Sequence, residues 1–205
     1  MSDVFISRGR WLDIRCALVW MMSFAPLNAA IAHELMREEY RCLSDILGNG
    51  LGADAKYAVI ADRTIGDTRA VVGDELSVAR ASELNVKLEL LRECARVNAE
   101  SRPLGRDFKL NVPYTLLTES ARDLLFRGDN PVTGWKLFFA RFPDSPGLLR
   151  VSRVAFDAAR TQALAYVELQ CGPDCGAGRL IQARAENDAW RVEFGELIWI
   201  AGPET

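Results

Sequence analysis

LLRVSRVAFDAARTQALAYVELQCGPDCGAGRLIQARAENDAWRVEFGELIWI, residues 148–200, decides the fold. LLRVSRVAF (148–156) places Leu149, Val151 and Arg153 on one side, then Val154 and Phe156 on the other after a slip of phase. TQALAYVELQ (161–170) alternates more strictly, with Ala163, Ala165, Val167 and Leu169 facing one way. RLIQARAE (179–186) runs into the turn NDA, and WRVEFGELIWI (190–200) sets Trp190, Val192 and Phe194 against charged neighbours. Four period-2 runs joined by short turns predict an antiparallel meander.

Upstream the period changes. ELMREEYRCLSDIL (34–47) lines up Met36, Tyr40, Leu43 and Leu47 on one helical face, and GNGLGAD stops that helix. KYAVIADRT (56–64) reads as a strand, and TRAVVG (68–73) as a weaker strand signal. SELNVKLELLRECARVNAE (82–100) predicts a helix with Leu84, Leu88, Leu91, Cys94 and Asn98 on its inner face. SRPLGRDFKLNVPY (101–114) is irregular, SARDLLF (120–126) a short helix, and GWKLFFARF (134–142) a short aromatic element. Helices first and a contiguous sheet last give an α+β fold: N-terminal helices (about 33–142) packed on an antiparallel sheet of four or more strands (about 148–200). NTF2-like and cystatin-like groups share that element order, an analogy only.

The N-terminus sets the chemical context. Three arginines within MSDVFISRGRWLDIR precede CALVWMMSFAPLNAAIA (16–32), which carries no charge and ends Ala30-Ile31-Ala32. That arrangement describes a signal peptide over 1–32, with a single domain over 33–205. A retained anchor is the alternative, disfavoured because the apolar run is short and holds a proline. Cleavage removes three of 25 basic and two of 28 acidic residues, leaving a net charge of −4 and no further span-length apolar run. The expected location is secreted or periplasmic.

Four cysteines remain after cleavage: Cys42, Cys94, Cys171 and Cys175. In an oxidising compartment an even set favours disulfides, and four thiols allow three connectivities. Cys171 and Cys175 flank a turn between two strands, so a bridge there clips a hairpin and contributes about 2 kcal/mol on the chain-entropy account. Cys42–Cys94 would tie the first helix to the second, with about 4 kcal/mol on the same account. A thioredoxin-type redox pair needs C-x-x-C at a helix start, and a zinc site needs a second close pair, so neither reading is preferred.

Residues 134–200 resemble a group of uncharacterised bacterial exported proteins. The resemblance rests on Ser152, Val154 and Phe156, on TQALAYV (161–167), on CGPDCGAG (171–178), and on Trp190, Val192 and Trp199. GWKLFFARFPDSPG is similar to the element preceding them. Ala155 and Asp157 stand where the group's pattern has Gly and Asn. The resemblance implies a structural motif and carries no catalytic assignment.

Several chemistries are excluded. His33 is the only histidine, so one chain holds no Ser-His-Asp or Cys-His machinery and no His-rich zinc site. Neither glycine-rich phosphate motif is present. A near-neutral, evenly mixed charge gives no pull toward nucleic acid. No metal or cofactor is expected. Carboxylate pairs remain, with Asp157, Glu168, Asp174, Glu193 and Glu196 as candidates, each read first as a solvent-facing group or a turn cap. Trp135, Asp157 and Asp174 are the candidate ligand groove; the stripe Trp135, Phe138, Phe139 and Phe142 is read as core before groove. The expected function is a non-enzymatic binding domain for a protein or small-molecule partner. The alternative is a small carboxylate-dependent hydrolase acting on glycans or envelope material.

Overall fold

A computed structural model describes residues 25–51, 55–72, 76–128 and 130–202. Residues Glu38–Thr205 close into a compact unit of their own. The signal segment expected over 1–32 lies outside the described residues as far as position 24; its last positions fall in helix α1 (Ala25–Gly50).

β1 (Ala58–Ala61) leads into three short helices, α2 (Arg69–Val72), α3 (Val78–Glu83) and α4 (Leu88–Val97). β2 (Tyr114–Leu117), α5 (Glu119–Leu125) and α6 (Pro131–Arg141) follow. The β-rich third holds β3 (Leu148–Val151), β4 (Ala155–Phe156), β5 (Gln162–Gly172), β6 (Cys175–Glu186) and β7 (Ala189–Ala201). They form one seven-stranded sheet ordered β2-β1-β3-β5-β6-β7, with β4 also beside β5. The meander β3-β5-β6-β7 is antiparallel throughout. β1 pairs in parallel with both β2 and β3, so the sheet is mixed.

The pleat sorts the core. Ala163 and Ala165 of β5 join Ile60, Leu149, Val151 and Trp190 beneath Tyr40, Leu43, Ile46 and Leu47 of α1. Leu164 and Tyr166, one position out of phase and therefore on the opposite face, pack with Leu84, Leu90, Leu91 and Cys94 around α3 and α4. On that second face, Val59 and Leu148 meet Leu125, Phe138 and Leu117 under α5 and α6. Helices therefore cover both faces. The α1 face matches its sequence period at Tyr40, Leu43 and Leu47, whereas Met36 is exposed.

Four local readings change. The helix expected over 82–100 is divided: Asn85 takes a left-handed φ of 50° and Val86 N–H reaches back to Ala81 O, closing α3 before α4 begins. Within the stretch read as TRAVVG, Arg69–Val72 form α2 instead of a strand. The aromatic stretch is a full helix, α6, opened by Asn130 Oδ1 accepting from Val132 N and by Pro131 at its first position. β2, hidden in a proline-containing stretch, is a four-residue edge strand entered directly from Pro113.

Candidate functional site

Tyr166 and Glu168 project from β5 onto the α4 face, where Glu168 pairs across to Arg150 of β3. Glu168 accepts hydrogen bonds from Arg150 Nη1 at 2.8 Å, Tyr166 Oη at 3.0 Å and Gln170 Nε2 at 3.2 Å. Tyr166 Oη in turn accepts from Trp199 Nε1 at 2.6 Å, and Tyr166 N donates to Ser152 Oγ at 2.8 Å. A Cβ on Gly178 would fall 2.2 Å from both Trp199 Nε1 and Tyr166 Oη, and one on Gly176 would meet the Trp199 ring at 3.1 Å. The two glycines of CGAG are thus the floor on which Trp199 lies. Burial, reinforced by the Glu168 charge, pushes the Tyr166 phenol far above its ordinary value and keeps it a neutral donor. Ser152, Tyr166, Gly176, Gly178 and Trp199, scattered through the motif seen in the sequence, converge on one structural network.

Among the described residues, a cavity and a pair of hollows also open on the sheet. The larger, about 550 Å³, lies between the α3–α4 turn and the ends of β5, β6 and β7. Gln162 and Gln182 form its floor, with Ser82 and Asn85 at its α3–α4 wall. Gln162 is 8% exposed, and its Oε1 has no hydrogen-bond partner. Between Gln182 and Ala183 the β6–β7 register slips: Gln182 faces Phe194 while Ala183 faces Val192. Glu193 is the extra residue of this bulge, and both it and Phe194 line the cavity. The second space is a pair of smaller hollows of about 200 and 290 Å³ that share Arg122 and Arg150. Arg122 there is held by Glu119 and Asp123, and Arg150 by Glu168.

The expected site residues do not gather. Asp157 closes the β4–β5 turn, accepting from Thr161 N, Gln162 N and Thr161 Oγ1 at 2.7, 3.0 and 2.9 Å. Burial alone would raise its carboxyl; those hydrogen bonds, with Lys87 nearby, hold it below the usual range. Asp174 is exposed at the β5–β6 tip, the full length of β5 from Asp157. Trp135 packs on α6 against Phe126 and Phe138, with ring centroids 5.0 and 5.2 Å apart; it is half-buried at the edge of the core and lines the 290 Å³ hollow, away from both aspartates. The groove expected from Trp135, Asp157 and Asp174 is therefore not formed. Of the remaining carboxylates, Glu168 is buried rather than solvent-facing, Glu193 pairs with Arg184 at the larger cavity, and Glu196 is half-buried on β7.

Cys171 and Cys175 are joined across the β5–β6 turn. Cys42 and Cys94 are free. The bridge expected between them is not made, because Cys42 lies in the α1 core and Cys94 in the α4 core, with the sheet between. Burial pushes both thiols up, Cys94 to about 11 and Cys42 further. Among the described residues, no cluster of three or more metal-ligating side chains occurs, and no helix is long and apolar enough to cross a membrane.

Gln162 is the functional candidate that sequence reasoning passed over. It sat inside the quoted TQALAYV run, but its strand period could not show that its amide lacks a partner. No family model, curated protein or solved structure matches the chain.

Proposed function

We propose that this chain is an exported, disulfide-clipped α+β binding module, processed after Ala32 and working without a catalytic centre. The observation that carries the reading is how its inward carboxylates are used. Glu38, Glu39 and Glu168 have side chains no more than 16% exposed, and each faces an arginine: Arg160 at 2.6 Å, Arg153 at 2.7 Å and Arg150 at 2.8 Å. A glycosidase-type pair needs one carboxyl held protonated and a second one free to act across a substrate gap of roughly 5–10 Å. Carboxylates saturated by guanidinium groups serve as struts instead. Glu39 comes nearest to an acid, since burial raises its carboxyl. Its bond to Arg153 opposes that rise and fixes it between α1 and the β3–β4 link.

Two further features support export. The Cys171–Cys175 clip suits an oxidising compartment, and the two free thiols are sealed on opposite faces, where neither can mispair. The compact unit begins at Glu38, so removal of everything through Ala32 takes no residue from it.

Cell fractionation with N-terminal sequencing tests the reading. The expected product is an exported chain beginning at His33; a full-length cytosolic chain contradicts export. Hydrolysis of glycan or envelope substrates that survives purification, and is lost in Glu168→Gln, contradicts the non-enzymatic part.

A further inference from the structure

We infer that the cavity between the α3–α4 turn and the ends of β5–β7 is a binding site for a neutral, hydroxyl-rich ligand: a sugar ring held by the Gln162 and Gln182 amides against Phe194. This deepens the binding-module reading and rests on it.

Three independent observations converge there. First, the Gln162 side chain is more than nine-tenths buried and lines the cavity, yet its Oε1 has no partner. An unsatisfied buried amide carbonyl costs about 1–3 kcal/mol, and a leucine would fill the same volume without that cost. The Gln162 backbone is already engaged with Asp157, and that engagement does not use the side-chain amide. Second, the β7 bulge turns two consecutive residues toward one space, where a regular strand would alternate them. Phe194 therefore stays 37% exposed beside the glutamines instead of packing into the sheet. Third, the volume of about 550 Å³ falls within the range of small-molecule sites.

The lining selects the class. Ser82, Asn85, Gln162 and Gln182 are uncharged and can donate and accept at once, as sugar hydroxyls do. The charged groups at the cavity are each answered: Arg184 pairs with Glu193, and Lys87 lies near the Asp157 carboxylate and helps to hold it ionised. A purely apolar ligand would leave Gln162 unpaired. A multiply charged anion would meet Lys87 and Arg184 but also Glu193, and would leave the amide carbonyls unmatched. The partly exposed Phe194 ring offers the flat apolar surface onto which the C–H face of a pyranose stacks.

Saturation-transfer NMR and calorimetric titration of the purified chain test this with glucose, galactose, N-acetylglucosamine, maltotriose and chitotriose. Glucuronate and inorganic phosphate serve as charged arms. At least one neutral sugar is expected to bind, with affinity falling by about tenfold or more in Gln162→Leu and in Phe194→Ala. Gln162→Leu should at the same time melt no lower than the parent, because it removes a buried unsatisfied carbonyl; a merely structural glutamine would lose stability. Phe194→Ala, at an exposed position, keeps the test intact if the leucine variant does not fold. The assignment is overturned if no neutral sugar binds at about 20 mM, if only the charged probes bind, or if sugar binding is unchanged in both variants. None of these results alters where the chain is processed, so failure here and failure of export are separately visible.

Discussion

Gly178 shows how a single residue carries the fold's central network. It stands in β6 opposite Glu168 on one side and Trp199 on the other, and its missing side chain lets the indole reach Tyr166. Gly178→Ala is expected to cost about 1–3 kcal/mol in urea unfolding. Gly195→Ala, whose Cβ would sit 3.9 Å from Ile181, should be close to neutral by the same measurement. In the sequence Gly178 looks like turn freedom; its role in close packing needs the β6–β7 register, which no local pattern contains. Asp157 yields a prediction in pH. Its folded carboxyl is held below its ordinary value, so the unfolded chain takes up that proton more readily. Its stabilisation is present above that value and lost as pH falls through the lower folded one. Melting temperatures between pH 3 and 7 should therefore fall less steeply at the acid end for Asp157→Asn than for the parent.

Asn98 is the clasp between helix and sheet. Fully buried at the end of α4, it donates to Cys94 O at 2.9 Å and Arg153 O at 3.2 Å, and accepts from Arg153 N at 2.7 Å. Asn98→Ala strands the Arg153 amide and should cost about 1–3 kcal/mol in chemical unfolding. The inner face of this helix was legible, because Leu91, Cys94 and Asn98 follow the helical period and all are buried. The break at Asn85 was not: Leu84 and Leu88 keep the same apolar spacing across it, so hydrophobic periodicity runs on through a chain that does not. β2 was hidden for a different reason, since its four residues follow a proline and gain their pairing only from β1. The β5–β6 hairpin was legible from its alternation and turn residues together. Replacing both Cys171 and Cys175 by serine should lower stability by about 2 kcal/mol, or about 4–8 °C in melting temperature, with the same shift in the parent on adding reductant.

At the scale of the whole molecule, sequence order correctly placed the helices before the antiparallel meander, and the α+β class follows from that order. Two parallel pairings and the coverage of both sheet faces lay beyond it, because they depend on where the chain crosses over rather than on local period. The cavity was equally hidden: its walls come from a helix-ending turn, the first residue of one strand and a bulge in another. What unites the molecule is its sulfur chemistry. One pair crosslinks an exposed hairpin, and two thiols lie sealed in separate cores. Intact mass of the protein recovered from its native compartment, alkylated without and then with denaturant and reductant, tests this most directly. The account predicts a chain beginning at His33 that takes up no label when folded, two labels on unfolding and four after reduction. A full-length chain whose Cys171 and Cys175 label in the native state would contradict it.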